Sequence, residues 1–147
     1  MIDLNKFDKT KFNNKPFVLK DTTKPWGHEI IFTTPNDPYT GKIIYLNAGK
    51  QFSLQVHDLK EETQMLVSGE AILIIDNENG ELTEINMELL KGYKLRPGQR
   101  HRARAVKDSA IYEVSTPEIG TTHRLEDDYK RPDQTNELRW NERKGLK

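Results

Sequence analysis

At 147 residues the chain is sized for one compact domain, long enough to close a core over a small-molecule site and short for two independent cores. Lys plus Arg and Asp plus Glu number 23 each, so the formal charge is zero and nothing in the balance favours nucleic acid or an anionic membrane as partner. The absence of cysteine excludes disulfides, thiolate metal sites and cysteine nucleophiles, so any metal must be held by nitrogen and oxygen.

The stretch from Met1 to Lys15 is polar and lysine-rich, with no apolar core of a targeting segment. No later stretch approaches the roughly 20 apolar residues of a membrane span. A cytoplasmic, unprocessed protein is the expectation. Beyond this arm, short runs rich in Ile, Val, Leu, Phe and Tyr recur between Gly, Pro, Asn and Asp, the pattern of an all-β domain with many turns. Strands are predicted at Phe17–Lys20, His28–Thr33, Lys42–Asn47, Phe52–His57, Glu62–Val67, Ala71–Asp76, Leu82–Met87, Tyr93–Arg96, Arg102–Val106 and Ala110–Val114. The Pro35-Asn36-Asp37-Pro38 stretch forces an irregular loop, Asn79-Gly80 suits a tight hairpin, and Pro97-Gly98 separates two strands. Residues 1–19 read as an N-terminal arm with a possible edge strand, 20–118 as the β-barrel, and 119–147 as a charged tail that is a surface arm or is ordered only against a partner.

The chemistry concentrates in Gly49-Lys50-Gln51-Phe52-Ser53-Leu54-Gln55-Val56-His57. On a strand, Ser53, Gln55 and His57 share one face by the two-residue period. Glu62 opens the next apolar strand, and an antiparallel hairpin return would bring its carboxylate back near His57. His101 arrives from far along the chain, just after the Pro97-Gly98 turn. Imidazole nitrogen, carboxylate oxygen and amide oxygen together make a borderline site suited to zinc, iron, manganese, nickel or cobalt more than calcium or magnesium. His28 and His123 fall in no such register.

These residues resemble the first motif of the cupin superfamily: Gly49, five residues, Gln55, one residue, His57, four residues, Glu62, six residues, Gly69, with Gln55 standing where the motif has its first His. The second motif is matched through Gly98, two residues, His101, but Leu90 stands in place of its first Gly, Arg96 of its Pro and Ala105 of its final Asn. A closer resemblance is to the cupin domain of type II mannose-6-phosphate isomerases and their stand-alone relatives. It is carried by Lys24-Pro25-Trp26-Gly27, Ser53-Leu54-Gln55-x-His57, Glu113-Val114-Ser115-Thr116-Pro117-Glu118 and Arg124-Leu125-Glu126-Asp127-Asp128-Tyr129, and it covers about residues 20–131. It implies a double-stranded β-helix or jelly-roll barrel, homodimeric, with Gln55, His57, Glu62 and His101 holding one divalent transition metal, zinc in the first place.

The same resemblance implies aldose–ketose isomerisation of a sugar or sugar phosphate through a cis-enediol, with an acid/base shuttling a proton between C1 and C2. Glu113 is the candidate, because the alternation Ile111-Glu113-Ser115 against Ala110-Tyr112-Val114 sends it inward. Lys42 and Arg96 are candidate binders of a substrate phosphate or hydroxyl groups. The Asp58-Leu59-Lys60-Glu61 segment departs from the polar or His-rich stretch of the bifunctional relatives, and their nucleotidyltransferase domain has no counterpart in these residues. Competing readings are a nucleotide-sugar epimerase or isomerase, an Fe(II) dioxygenase, and a non-catalytic metal- or sugar-binding module.

Overall fold

The structure is a computed structural model and describes residues 1–146. Eleven strands run in chain order: β1 Leu19–Asp21, β2 Gly27–Ile31, β3 Thr40–Leu46, β4 Leu54–His57, β5 Glu62–Ser68, β6 Ala71–Asp76, β7 Leu82–Asn86, β8 Gly92–Leu95, β9 His101–Ala105, β10 Ser109–Ser115 and β11 Thr122–Glu126. One helix, α1 Asn136–Glu142, comes after them. The strands form two antiparallel sheets, β1-β2-β3-β10-β5-β8 and β11-β4-β9-β6-β7, whose inner faces close on each other as a barrel. The ten predicted strands are all present. Among the described residues no helix is long and apolar enough to cross a membrane.

Strand alternation divides the interior into two ends. On β3 the inward row is Lys42, Ile44, Leu46; on β5 it is Glu62, Gln64, Leu66; on β10 it is Ile111, Glu113. Because β10 pairs Glu113 with Lys42 on one side and Gln64 on the other, one tier of the barrel is polar. The same ladders pair Ile111 with Ile44 and Leu66, so the adjacent tier is apolar. That tier joins Trp26, Leu46, Leu73, Leu95 and Ala103 in a single core cluster. The apolar tier supplies the hydrophobic stabilisation, and the polar tier is a bowl built on top of it.

Two regions differ from expectation. The segment read as a charged tail supplies β11, which pairs with β4, and α1, which buries Arg139 and leads into the buried C-cap residue Arg143. Composition alone hid both, because their inward residues are polar or charged: Thr122 and Arg124 on β11, and at α1 the arginines Arg139 and Arg143, which pair with Glu118 inside. The arm is divided: residues before Leu19 form two short 3-10 turns with Ile2, Leu4, Phe7 and Phe12 exposed, while β1 pairs with β2 of its own chain.

The turns explain how an altered second motif keeps its backbone shape. Leu90 has φ 61°, the left-handed conformation for which glycine is suited, so the backbone keeps the shape although the residue has changed. Its side chain is 69 % exposed and has little packing to lose. Gly69 has φ 88°, and a Cβ there would lie 2.3 Å from the Asp108 carbonyl oxygen. Urea unfolding should therefore show Leu90→Gly neutral or stabilised by up to about 1 kcal/mol, and Gly69→Ala destabilised by at least about 2 kcal/mol.

Candidate metal centre

Gln55 and His57 lie on β4, and His101 opens β9 directly opposite Gln55 in the ladder. Glu62 comes from the other sheet. The expected hairpin return is corrected here: β4 pairs with β11 and β9, while β5 pairs with β10 and β8. The short Asp58–Glu61 connection crosses between the sheets, and Glu62 meets His57 across the barrel interior. The turn before His101 is tied to the same place, since the Gly98 amide donates to the His57 carbonyl at 2.9 Å.

One carboxylate oxygen, Glu62 Oε1, lies 3.4 Å from His57 Nε2 and 3.2 Å from His101 Nε2. Each imidazole is fixed from behind. His101 Nδ1 donates to the Gln99 carbonyl at 3.0 Å, which leaves its Nε2 lone pair turned inward in the neutral ring. His57 Nδ1 meets the Thr122 hydroxyl at 3.0 Å, and Thr122 in turn accepts from Arg139 of α1 at 3.5 Å. Outer partners of this kind orient metal-ligating histidines.

The residues fit a metal ion by three observations. His57, Glu62 and His101 each offer a donor atom, all within 4.8 Å of one another. His57 Nε2 and both Glu62 oxygens are buried with no hydrogen-bond partner among the described residues, a costly arrangement unless something else satisfies them. The 3.2 and 3.4 Å separations also match the roughly 3.0 to 3.4 Å between neighbouring ligands on an ion with bonds near 2.1 Å. Gln55 is the fourth donor candidate: its amide nitrogen is 3.4 Å from His101 Nε2, and its oxygen accepts from Ser53 at 2.7 Å. A half-turn of the amide presents the oxygen instead, and the Ser53 hydroxyl partners either end.

Around this group the bowl is charged to an unusual degree. Lys60, from the crossing loop, lies 2.9 Å from Glu62 Oε2 and 3.2 Å from Glu113. Glu113 also accepts from Gln64 at 3.1 Å and faces Lys42 at 3.5 Å. Burial, reinforced by the neighbouring Glu62 carboxylate, raises the Glu113 pKa to about 7 against the pull of Lys42 and Lys60. Burial acts the same way on Glu62, but Lys60 and the two imidazoles win, holding it well below the usual range. Lys42 spans Glu29 at 3.2 Å, Glu113 and Glu118 at 3.6 Å, and the three carboxylates raise its pKa in spite of burial. Arg143, the C-cap of α1, closes the far side on Glu118 at 3.1 Å and Asp21 at 3.5 Å.

The structure thus brings Gln55, His57, Glu62, His101, Glu113 and Lys42 into one interior and leaves Arg96 outside it. Leu95 is fully buried beneath β8, so alternation turns Arg96 outward to Glu61, 3.6 Å away, with 67 % of its side chain exposed. Sequence reasoning misses Lys60, Glu118, Arg139 and Arg143 as members of the bowl. Of these only Glu118 stands in a motif, and a lysine in a loop carries no periodic signal. His123 pairs with Asp58 and Asp133 at the surface, and His28 stacks on Tyr45.

Solved structures with this architecture include oxalate decarboxylase from Bacillus subtilis, at 16 % identity and TM-score 0.64 over 78 % of this chain and 33 % of that one. The fold is the cupin barrel. KdgF from Halomonas sp. aligns at 16 % identity and TM-score 0.55, covering 67 % of this chain and 86 % of its own. The capsular polysaccharide assembling protein CapF from Staphylococcus aureus aligns at 15 % and 0.55, covering 87 % and 34 %. The chain spans only about a third of the CapF and decarboxylase chains. Neither a protein-family model nor a curated protein matches the sequence.

Burial lowers the His57 pKa to about 4 from 6.5, so in chelator-treated protein the folded state holds His57 neutral where the unfolded chain would protonate it. The stability that depends on neutral His57 is present above pH 6.5 and is lost as pH falls toward 4. Denaturant unfolding should show a loss of about 2 kcal/mol between pH 7 and pH 5 that is absent in His57→Gln. Elemental analysis should find one transition metal per chain, and His57→Ala or His101→Ala should each abolish that stoichiometry.

Proposed function

We propose that this cupin holds one divalent transition metal on Gln55, His57, Glu62 and His101 and isomerises a sugar or sugar phosphate. The observation that carries the reading is Glu113, a carboxylate 3 % exposed in the same interior as the His-Glu-His group, linked to it through Lys60. When bound, the metal polarises a carbonyl and acidifies the neighbouring C–H.

The chain's own residues supply the rest. Glu113 accepts the proton from one carbon and returns it to the next, and a pKa near 7 lets it act in both directions. Gln64 and Lys42 hold its carboxylate from either side, fixing where the proton is taken. The Lys60 ammonium offers positive charge to an oxygen that becomes negative as the proton leaves. The apolar tier below shuts water out from beneath. That CapF is a capsular polysaccharide assembling protein agrees with carbohydrate chemistry on this fold.

A second reading, a small carboxylic acid as ligand, is favoured by space. The free volume in the bowl is about 50 Å³ and its lysines are enclosed and ion-paired, so a compact acid needs less rearrangement than a hexose. Oxalate decarboxylase is a neighbour whose name indicates such an acid.

Proton exchange decides between them. Metal-loaded protein in deuterated water should wash deuterium into C2 of mannose 6-phosphate and form fructose 6-phosphate. Glu113→Gln should slow both at least about 100-fold while retaining the metal. Absence of exchange with every hexose phosphate tested sinks the isomerase reading and leaves the acid. We also propose a homodimer, supported by the exposed apolar arm; light scattering at the 17.1 kDa monomer mass would overturn it.

A further inference from the structure

Six cations line the bowl: Lys24, Lys42, Lys60, Arg124, Arg131 and Arg143. Five have carboxylate partners within 4.0 Å. Lys24 and Arg143 pair with Asp21, Lys42 with Glu29, Lys60 with Glu62 and Arg131 with Asp127. Arg124 has none among the described residues.

Its position is set by the ladder. β11 runs antiparallel to β4 with Thr122 opposite His57 and Arg124 opposite Gln55, so both residues share the face that carries the metal donors. The guanidinium is anchored on one side, where Nη1 donates to the Pro132 carbonyl at 2.7 Å. Its Nε is buried and has no partner. Arg131, the neighbouring guanidinium, is already held by both oxygens of Asp127 at 2.8 and 3.0 Å and adds repulsion, while Asp127, Glu142 and Asp133 offset the Arg124 charge only from beyond ion-pair distance. A half-buried arginine with an unused fork, facing a polar interior, lacks an acceptor with two oxygens.

We propose that Arg124 binds an oxyanion of the ligand, a phosphate or carboxylate, and so sets the ligand's orientation against the metal donors. The inference rests on the reading of the bowl as a ligand site and specifies its class: an anionic carbohydrate or acid, with a neutral sugar excluded. Lys24, a half-buried residue whose side chain is 8 % exposed and lies 4.0 Å from Asp21, is a second cation at the same bowl. A carbohydrate phosphate and a uronate would present the same chemistry to the fork.

Isothermal titration of the full chain tests it, with inorganic phosphate, a hexose 6-phosphate, a hexuronate and the neutral hexose, each against zinc-loaded and chelator-treated protein. One or both anionic sugars should bind at least about tenfold tighter than the neutral hexose, and the tighter arm names the oxyanion. Arg124→Gln should erase that preference at unchanged zinc stoichiometry and melting temperature. Arg124→Lys, which keeps the charge without the fork, should retain part of it and serves if the glutamine variant folds poorly. An anion preference untouched by both substitutions, or a neutral hexose bound as tightly as the anions, overturns the proposal. Failure to bind zinc would sink the metal reading instead, while an Arg124-dependent anion preference in chelator-treated protein would still uphold this one.

Discussion

A carboxylate that is almost wholly inside a barrel imposes a demand on everything near it, and Glu62 is 2 % exposed. Two imidazoles converge on one of its oxygens and a lysine on the other, yet neither oxygen has a hydrogen bond of good geometry. Taking such a charge out of water costs several kcal/mol unless it is compensated. Lys60 provides the charge, and a cation at the His-Glu-His group would provide the missing bonds. The demand then propagates. Lys60 is itself buried and draws in Glu113; Glu113 draws in Lys42 and Gln64; Lys42 draws in Glu29 and Glu118; Glu118 draws in Arg143 from α1. The C-terminal helix is docked on the barrel by the last link of a chain of charges that begins at the metal group.

That chain explains which features were legible in the sequence. Gln55, His57 and Glu62 could be read because ligands on strands recur at fixed spacing, and His101 because a Pro-Gly turn fixes where β9 starts. Glu113 could be read because two-residue alternation sorts inside from outside, and the same rule applied to Leu95 would have turned Arg96 outward. Three features were beyond that kind of reading. Glu62 reaches His57 through a sheet-to-sheet crossing that spacing cannot distinguish from a hairpin. Lys60 sits in a loop, where there is no period. β11 turns Thr122 and a half-buried Arg124 inward and α1 buries Arg139, so a scan for apolar faces reports only a polar tail.

Leu90 makes a related point about motifs. The residue differs from the glycine of the second cupin motif, yet its backbone stands at φ 61°. A motif records the residue that meets a backbone requirement at least cost, and a different residue can meet the same requirement at a cost of about 1 kcal/mol. The second motif keeps its shape because the entry to β9 depends on it: Gly98 bonds to the His57 carbonyl, and His101 then enters β9 opposite Gln55. The degraded half of the sequence pattern and the intact half are joined physically at the metal group.

Charge balance finally links the metal group to the ligand. Near the bowl, the six cations Lys24, Lys42, Lys60, Arg124, Arg131 and Arg143 face the six carboxylates Asp21, Glu29, Glu62, Glu113, Glu118 and Asp127, so the charges balance without an ion, although Arg124 makes no ion pair among the described residues. A divalent ion held by one carboxylate and neutral donors leaves an added positive charge in the same interior. The interior would then carry more positive than negative charge. An interior of low dielectric does not tolerate an uncompensated excess of one sign. An anion at Arg124, which lies opposite Gln55 on the neighbouring strand, would restore the balance. The electrostatics that would bind an ion at the His-Glu-His group would therefore also favour an anionic ligand beside it.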